Sequence, residues 1–277
     1  MRVNMGFFLL FLSLFSCYNP PKNEVNTKTV SQKDDAVNSV EFSRLTEAMR
    51  NAELPGTLSG KILAALTLNR AFITDLHTCL AGDRHLRELV DKQHPLPSGY
   101  APSDLVALAD GAYRVGRAGM TLRRAAAASL GDMAAAARRN GITLVVSSAY
   151  RSYDYQADVY SRIVRELGRE AADRESARPG HSQHQTGLVL DFGSIDDSFS
   201  LTGAGRWMAA NASRFGWSLS YPDGYEAVTG YRWESWHYRY VGKDLAAFID
   251  TYFDGIQQYA LRFIHEWELL SAKTPAL

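Results

Sequence analysis

The chain has 277 residues, 46% of them hydrophobic and 22% charged, so it is long enough and apolar enough to bury a core and is not disordered over most of its length. Thirty Lys and Arg balance thirty Asp and Glu, which leaves no bulk positive charge for a nucleic-acid partner. Two cysteines exclude a disulfide framework and a Cys-rich zinc module, so any metal must be held by His, Asp or Glu.

Residues 1–17 read as an export signal. Arg2 precedes an apolar run from Gly6 to Phe15, about half of the roughly 20 residues that a membrane-spanning helix needs. Leu14-Phe15-Ser16-Cys17 resembles a bacterial lipoprotein box, which implies lipidation of Cys17 and an exported, membrane-anchored protein; simple cleavage is the alternative. Residues 18–40 are polar, carry two prolines and show no apolar period, the pattern of an extended tether. From 41 to 88, Phe42, Leu45, Met49 and then Ile62, Leu63, Leu66 recur at helical spacing, broken by Pro55-Gly56, and predict a helical lead-in in which Cys79 is a small core residue. The proline-rich stretch from Pro95 to Pro102 is a surface loop.

Thr121–Asn140 predicts one amphipathic helix with Leu122, Ala126, Leu130, Met133 and Ala137 on its apolar stripe, ended by Gly141. Ile142–Val146 reads as a buried strand, and Asp154–Leu167 as a helix capped by Ser152 or Asp154. Further strands are expected at Gly187–Asp191, Trp217–Tyr221 and Trp236–Val241, a helix over about Gly203–Phe215, and a C-terminal helix over 244–277. Helices and strands mix without a βαβ rhythm, so the fold class is α+β with a mainly antiparallel sheet.

The chemistry gathers at two short stretches. His184 and Asp191 lie seven residues apart around the apolar Leu188, Val189 and Leu190, and Glu234 precedes His237 by three. Two imidazoles, one carboxylate and a spare carboxylate are the inventory of a catalytic zinc site, in which three side chains hold the ion, a fourth position stays open to water and the extra carboxylate takes a proton. Residues three apart on a regular strand face opposite sides, so Glu234 requires a bend before the strand that carries His237. His181 could compete as a ligand but sits beside Pro179 and Gly180 in an approach loop. Asp191-Phe-Gly193 spells a kinase triplet without the rest of a kinase, and neither Ser-x-x-Lys nor His-Glu-x-x-His occurs.

Ser147-Ser-Ala-Tyr-Arg-Ser-Tyr-Asp-Tyr-Gln156, Ser182-Gln-His-Gln-Thr-Gly-Leu-Val-Leu-Asp191 and Glu234-Ser-Trp-His-Tyr-Arg-Tyr-Val-Gly242 resemble the three signature blocks of VanY-type D-alanyl-D-alanine carboxypeptidases, zinc enzymes of the group that includes lysostaphin and the hedgehog signalling domain. The similarity takes in residues 89–243. It implies one zinc ion on His184, Asp191 and His237, Glu234 as general base, Arg151 facing the substrate, and Gln156, Ser182 and Tyr221 lining its pocket. The guanidinium of Arg151 suits a terminal carboxylate or the neighbouring oxyanion. Ser235 stands where the family commonly has proline. The implied activity is removal of a terminal D-alanine from peptidoglycan stem peptides, D,D on pentapeptides in the first reading and L,D on tetrapeptides in the second. Rivals are a zinc-containing wall-binding module without turnover and an endopeptidase with a cleft open at both ends.

Overall fold

Alternation of apolar runs with Gly, Pro and Asp punctuation divides the chain into short elements. The computed structural model describes residues 27–273. In chain order these are α1 (Thr27–Asn51), α2 (Gly56–Asn69), α3 (Ala71–Ala81), β1 (Leu105–Ala107), β2 (Arg114–Val115), β3 (Thr121–Arg123), α4 (Arg124–Arg139), β4 (Val145–Ser148), α5 (Tyr153–Leu167) and α6 (Arg169–Glu175). Then follow β5 (Val189–Phe192), α7 (Gly203–Asn211), β6 (Trp217–Leu219), α8 (Glu226–Thr229), β7 (His237–Tyr240), α9 (Lys243–Tyr252) and α10 (Gln257–Lys273). The signal segment, Cys17 and the first part of the expected tether lie outside the described residues. Among those described, no helix is long and apolar enough to cross a membrane.

One compact unit holds Arg44 onward, and a short unit precedes it. A five-stranded sheet in the order β2-β4-β5-β7-β6 forms the centre of the larger unit, antiparallel throughout except for the β2–β4 pair. This is the expected α+β class with a mainly antiparallel sheet. β1 and β3 make a separate two-stranded ribbon. The residues of α4 on its predicted stripe, Ala126, Leu130, Met133 and Ala137, are fully buried and share a core with Val146, Leu190, Phe192 and Trp217 from the sheet. A second core is almost wholly helical: Leu45 and Met49 of α1, Ile62 of α2, Phe72 and Leu76 of α3, and the inner faces of α9 and α10. Cys79 belongs to it; burial, reinforced by the nearby Asp244 and Asp75 charges, pushes its thiol up to about 12.

Several boundaries differ from expectation for identifiable reasons. Residues 27–40, expected as tether, are helical as the first part of α1. No Pro or Gly occurs between residues 22 and 51, so a helix already nucleated propagates at one hydrogen bond per residue. The first three residues of the predicted 121–140 helix form β3, because Leu105–Ala107 offers Thr121–Arg123 an antiparallel partner. The 142–146 strand begins later, at Val145, where pairing to β2 starts. The C-terminal helix is two helices: Asp254 and Gly255 both take positive φ, 53° and 77°, and stop α9 before α10 begins.

Phe72 is the hub of the helical core, with ring centroids 5.2 Å from Phe248, 4.9 Å from Tyr252 and 5.6 Å from Phe263. Phe72→Ala should lower unfolding free energy by about 3–5 kcal/mol in urea titration, with the metal-binding stoichiometry of the folded protein unchanged.

Candidate metal centre

The middle strands set the site. β5 and β7 pair so that Asp191 lies directly opposite His237, and Ser148 of β4 flanks Asp191 on its other side. Directly opposed residues on one face of an antiparallel pair hold their Cβ atoms within about 5 Å, which brings a carboxylate and an imidazole together with no help from a loop. His184 enters from a 3₁₀ turn, Gln183–Thr186, just before β5. Ser182 Oγ accepts the His184 N–H at 3.3 Å, and Thr186 Oγ1 donates to the Gln183 carbonyl at 2.6 Å. Gly187 ends the turn at φ 69°, and a Cβ there would stand 3.0 Å from side-chain carbons of Arg123, Leu105 and Pro102, so only glycine fits both backbone and space.

Glu234 precedes β7 in the bend that its spacing demanded. The His237 N–H donates to the Glu234 carbonyl at 3.2 Å, while the Glu234 N–H donates to the Tyr221 carbonyl at 3.0 Å. The carboxylate Oε2 then stands 3.0 Å from His237 Nδ1, which is itself 3.3 Å from Asp191 Oδ1.

Electrostatics at the centre favour a cation. His184 Nδ1 lies 2.7 Å from the Ala149 carbonyl, which can only accept, so Nδ1 carries the ring hydrogen and Nε2 presents a lone pair. That lone pair is 3.3 Å from Asp191 Oδ2. Two lone-pair atoms facing each other in a dry interior repel unless positive charge joins them. Burial, with the Arg151 charge nearby, pulls the His184 imidazole down to about 4, so a proton does not fill the role at neutral pH. His237 goes the other way: burial opposes its protonation, but hydrogen bonding and charge from Asp191 and Glu234 outweigh burial and lift it to about 9. Asp191 is also buried, yet the two imidazoles hold its carboxyl well below the usual range. His184 Nε2, His237 Nε2 and Asp191 Oδ1 are buried without hydrogen-bond partners. His184, Asp191 and His237 each offer a ligand atom within 4.8 Å of the others, the one such group among the described residues. Two imidazoles and a carboxylate in this arrangement fit a zinc-like ion.

Arg151, at the start of α5, approaches Asp191 Oδ2 at 4.0 Å through its terminal nitrogen, and its Nε is buried without a partner. Its backbone N–H donates to the His184 carbonyl at 3.3 Å, which ties the two residues' positions. Gln156, Ser182 and Tyr221 are all buried, Ser182 and Tyr221 in contact with the ligand residues and Gln156 against Ser176 and Ala177. Gln156 Nε2 donates to the Ala177 carbonyl at 2.7 Å and leaves Oε1 unpartnered. The Tyr221 ring packs 4.6 Å from that of His237, and burial holds its hydroxyl far above the normal range, hence protonated. His181 is outside the metal group; its Nδ1 is 2.8 Å from the Asp91 carbonyl. His94, also outside the metal group, has its Nδ1 2.8 Å from Asp91 Oδ1. Sequence reasoning missed the Ala149 carbonyl, since a backbone acceptor leaves no residue signature.

A sequence model of the family described as VanY, D-alanyl-D-alanine carboxypeptidase, matches residues 119–243, a span holding His184, Asp191, Glu234 and His237. The chain is 38% identical over 168 residues to a putative carboxypeptidase, YodJ, of Bacillus subtilis (strain 168); the alignment covers 58% of this chain and 62% of YodJ, less than two thirds of that protein. Among solved structures it resembles the LdcB LD-carboxypeptidase at 36% identity and TM-score 0.55, over 61% of this chain and 85% of that one. It also resembles a variant of the vancomycin-resistance D,D-pentapeptidase VanY in complex with Zn(II), at 32% identity and TM-score 0.52, over 62% of this chain and 96% of that one. On the strength of the matched segment, the near-complete coverage of that VanY structure and the three converging side chains, the chain belongs to the VanY D-alanyl-D-alanine carboxypeptidase family.

Proposed function

We propose that the protein is a zinc-dependent carboxypeptidase that removes the terminal D-alanine from peptidoglycan stem peptides as a D,D-carboxypeptidase. We further read residues 89–243 as its catalytic part, and Cys17 as a lipid anchor holding an exported protein to a bacterial membrane. The observation that carries the reading is the convergence of His184, Asp191 and His237 in the interior with a fourth group, Glu234, 3.0 Å from one of them. His184, Asp191 and His237 would hold zinc, which when bound supplies Lewis acidity that acidifies water and polarises a peptide carbonyl.

The chain's own residues supply the rest. Glu234 takes a proton from the attacking water and delivers it to the amide nitrogen of the departing D-alanine. Arg151 binds the terminal carboxylate or the oxyanion through its guanidinium, whose Nε the fold leaves without a partner. Tyr221, kept protonated by burial, offers only a neutral hydroxyl to the substrate pocket. Gln156 offers its unused Oε1 as an acceptor, and Ser182 lends its oxygen to the His184 turn while its own hydrogen stays available. A wall-binding module without turnover would have no need of Glu234 and Arg151 beside the ligands. The likeness to LdcB supports L,D activity as the second reading.

Purified full-length protein given pentapeptide and tetrapeptide stems separately should release D-alanine from pentapeptides; release from tetrapeptides alone would replace D,D by L,D. Glu234→Ala should retain one zinc per chain by elemental analysis and lose about 10²–10⁴-fold in kcat; an unchanged kcat removes Glu234 from the proton path. His237, held up to about 9 in the metal-free site, carries a proton at pH 7 that zinc must displace, whereas His184 at about 4 carries none. Apparent zinc affinity should therefore rise about tenfold per pH unit up to about pH 9. Calorimetry at pH 7 in two buffers of different ionisation enthalpy should report about one proton released per zinc, and none released would contradict the ligand role of His237.

A further inference from the structure

Asp191, Glu234 and Arg151 do not sit in a closed pocket. They form one part of an open groove of about 550 Å³ whose lining continues along α5 as far as Leu167. Six residues of α5 line the groove; four of them, Tyr155, Val159, Ile163 and Leu167, recur at every fourth position and make a ridge of the kind that i, i+4 rows form on a helix, with Arg162 and Glu166 beside it. Gln156 is the one residue of α5 that is fully buried, so the ridge is not consumed by the core: Tyr155 is 42% and Leu167 55% exposed, and Ile195, which also lines the groove, is 53% exposed. Tyr155 is fixed in place by Arg117, which donates to its hydroxyl at 3.3 Å and lies 5.5 Å from its ring centroid.

The dimensions are informative. At 1.5 Å per residue the ridge from Tyr155 to Leu167 runs about 18 Å, the length of about five residues of extended peptide. Hydrolysis of a terminal bond engages only the last two. The leaving group of a carboxypeptidase is a single residue, so whatever fills the remaining length precedes the scissile bond. Arg117 and Arg162 line the same groove, as do Glu166 and Glu175, so charged partners exist there for both a carboxylate and an ammonium group carried by such a peptide.

We propose that the α5 ridge is the acyl-side subsite of the enzyme, gripping the stretch of stem peptide before the terminal D-alanine and converting its length into turnover; this rests on the carboxypeptidase reading above. The peptide lies with its apolar groups on Val159, Ile163 and Leu167, and the binding energy gained there is spent at a reaction centre it does not touch.

The test compares kcat/KM for D-alanine release from N-acetyl-D-alanyl-D-alanine and from the full pentapeptide, using zinc-loaded wild type, Ile163→Glu and the more exposed Leu167→Glu, each checked for fold by circular dichroism and for zinc content. In the wild type the pentapeptide should exceed the dipeptide by at least about tenfold, the worth of one well-buried apolar side chain. Each variant should lose most of that gain while the dipeptide rate stays within about twofold of wild type. Equal length dependence in wild type and both variants overturns the proposal, as does an equal fall on both substrates. Release by the wild type with no length dependence overturns the ridge's role alone. Absence of release from every peptide overturns the carboxypeptidase reading and the subsite with it.

Discussion

The site depends on a repulsion that the fold builds in and does not relieve. Asp191 is fixed by strand pairing on both sides, and the Ala149 carbonyl commits His184 to the tautomer whose bare nitrogen points at that carboxylate. Neither group can turn away: Asp191 is in the third strand of a five-stranded sheet, and the His184 turn is pinned by Ser182, Thr186 and the backbone of Arg151. Burying facing lone pairs without a counter-charge is costly, and a divalent ion converts the arrangement from a liability into the best-bonded point of the interior. His237 and Glu234 complete this logic, since a shared proton partly balances their side of the centre when no ion is present.

Support for that geometry comes from two cores with different jobs. The sheet and α4 share one, which holds β4 and β5 from behind through Val146, Leu190 and Phe192. The helices α1, α2, α3, α9 and α10 share the other, and Val241, just after β7, joins it directly to the strand that carries His237. The lead-in from Arg44 onward and the C-terminal helices fall outside the segment that matches the family, yet they belong to the same compact unit as the site.

Much of this was legible in the sequence because the reactive groups are local. His184 and Asp191 bracket one strand, Glu234 and His237 share one bend, and side chains of that chemistry in an apolar setting signal themselves. The register was not legible: no pattern within either strand says that Asp191 faces His237 rather than a neighbour two residues away, since pairing is decided between strands. Thr121–Arg123 continues the apolar period of α4 and became strand only because a distant segment offered an edge. The break at Asp254-Gly255 was written in residue types that favour left-handed backbone, but the surrounding aromatic period, Tyr252, Phe253, Tyr259 and Phe263, masked it.

Cys79 gives the helical core an intrinsic reporter. The residue is only 8% exposed and its thiol, pushed up to about 12, is almost wholly un-ionised at neutral pH, so alkylating and oxidising reagents find little access and no thiolate. Labelling at this position therefore waits for α3 to separate from α9, and its rate measures how often the helical layer breathes, without a probe having to be engineered into the chain.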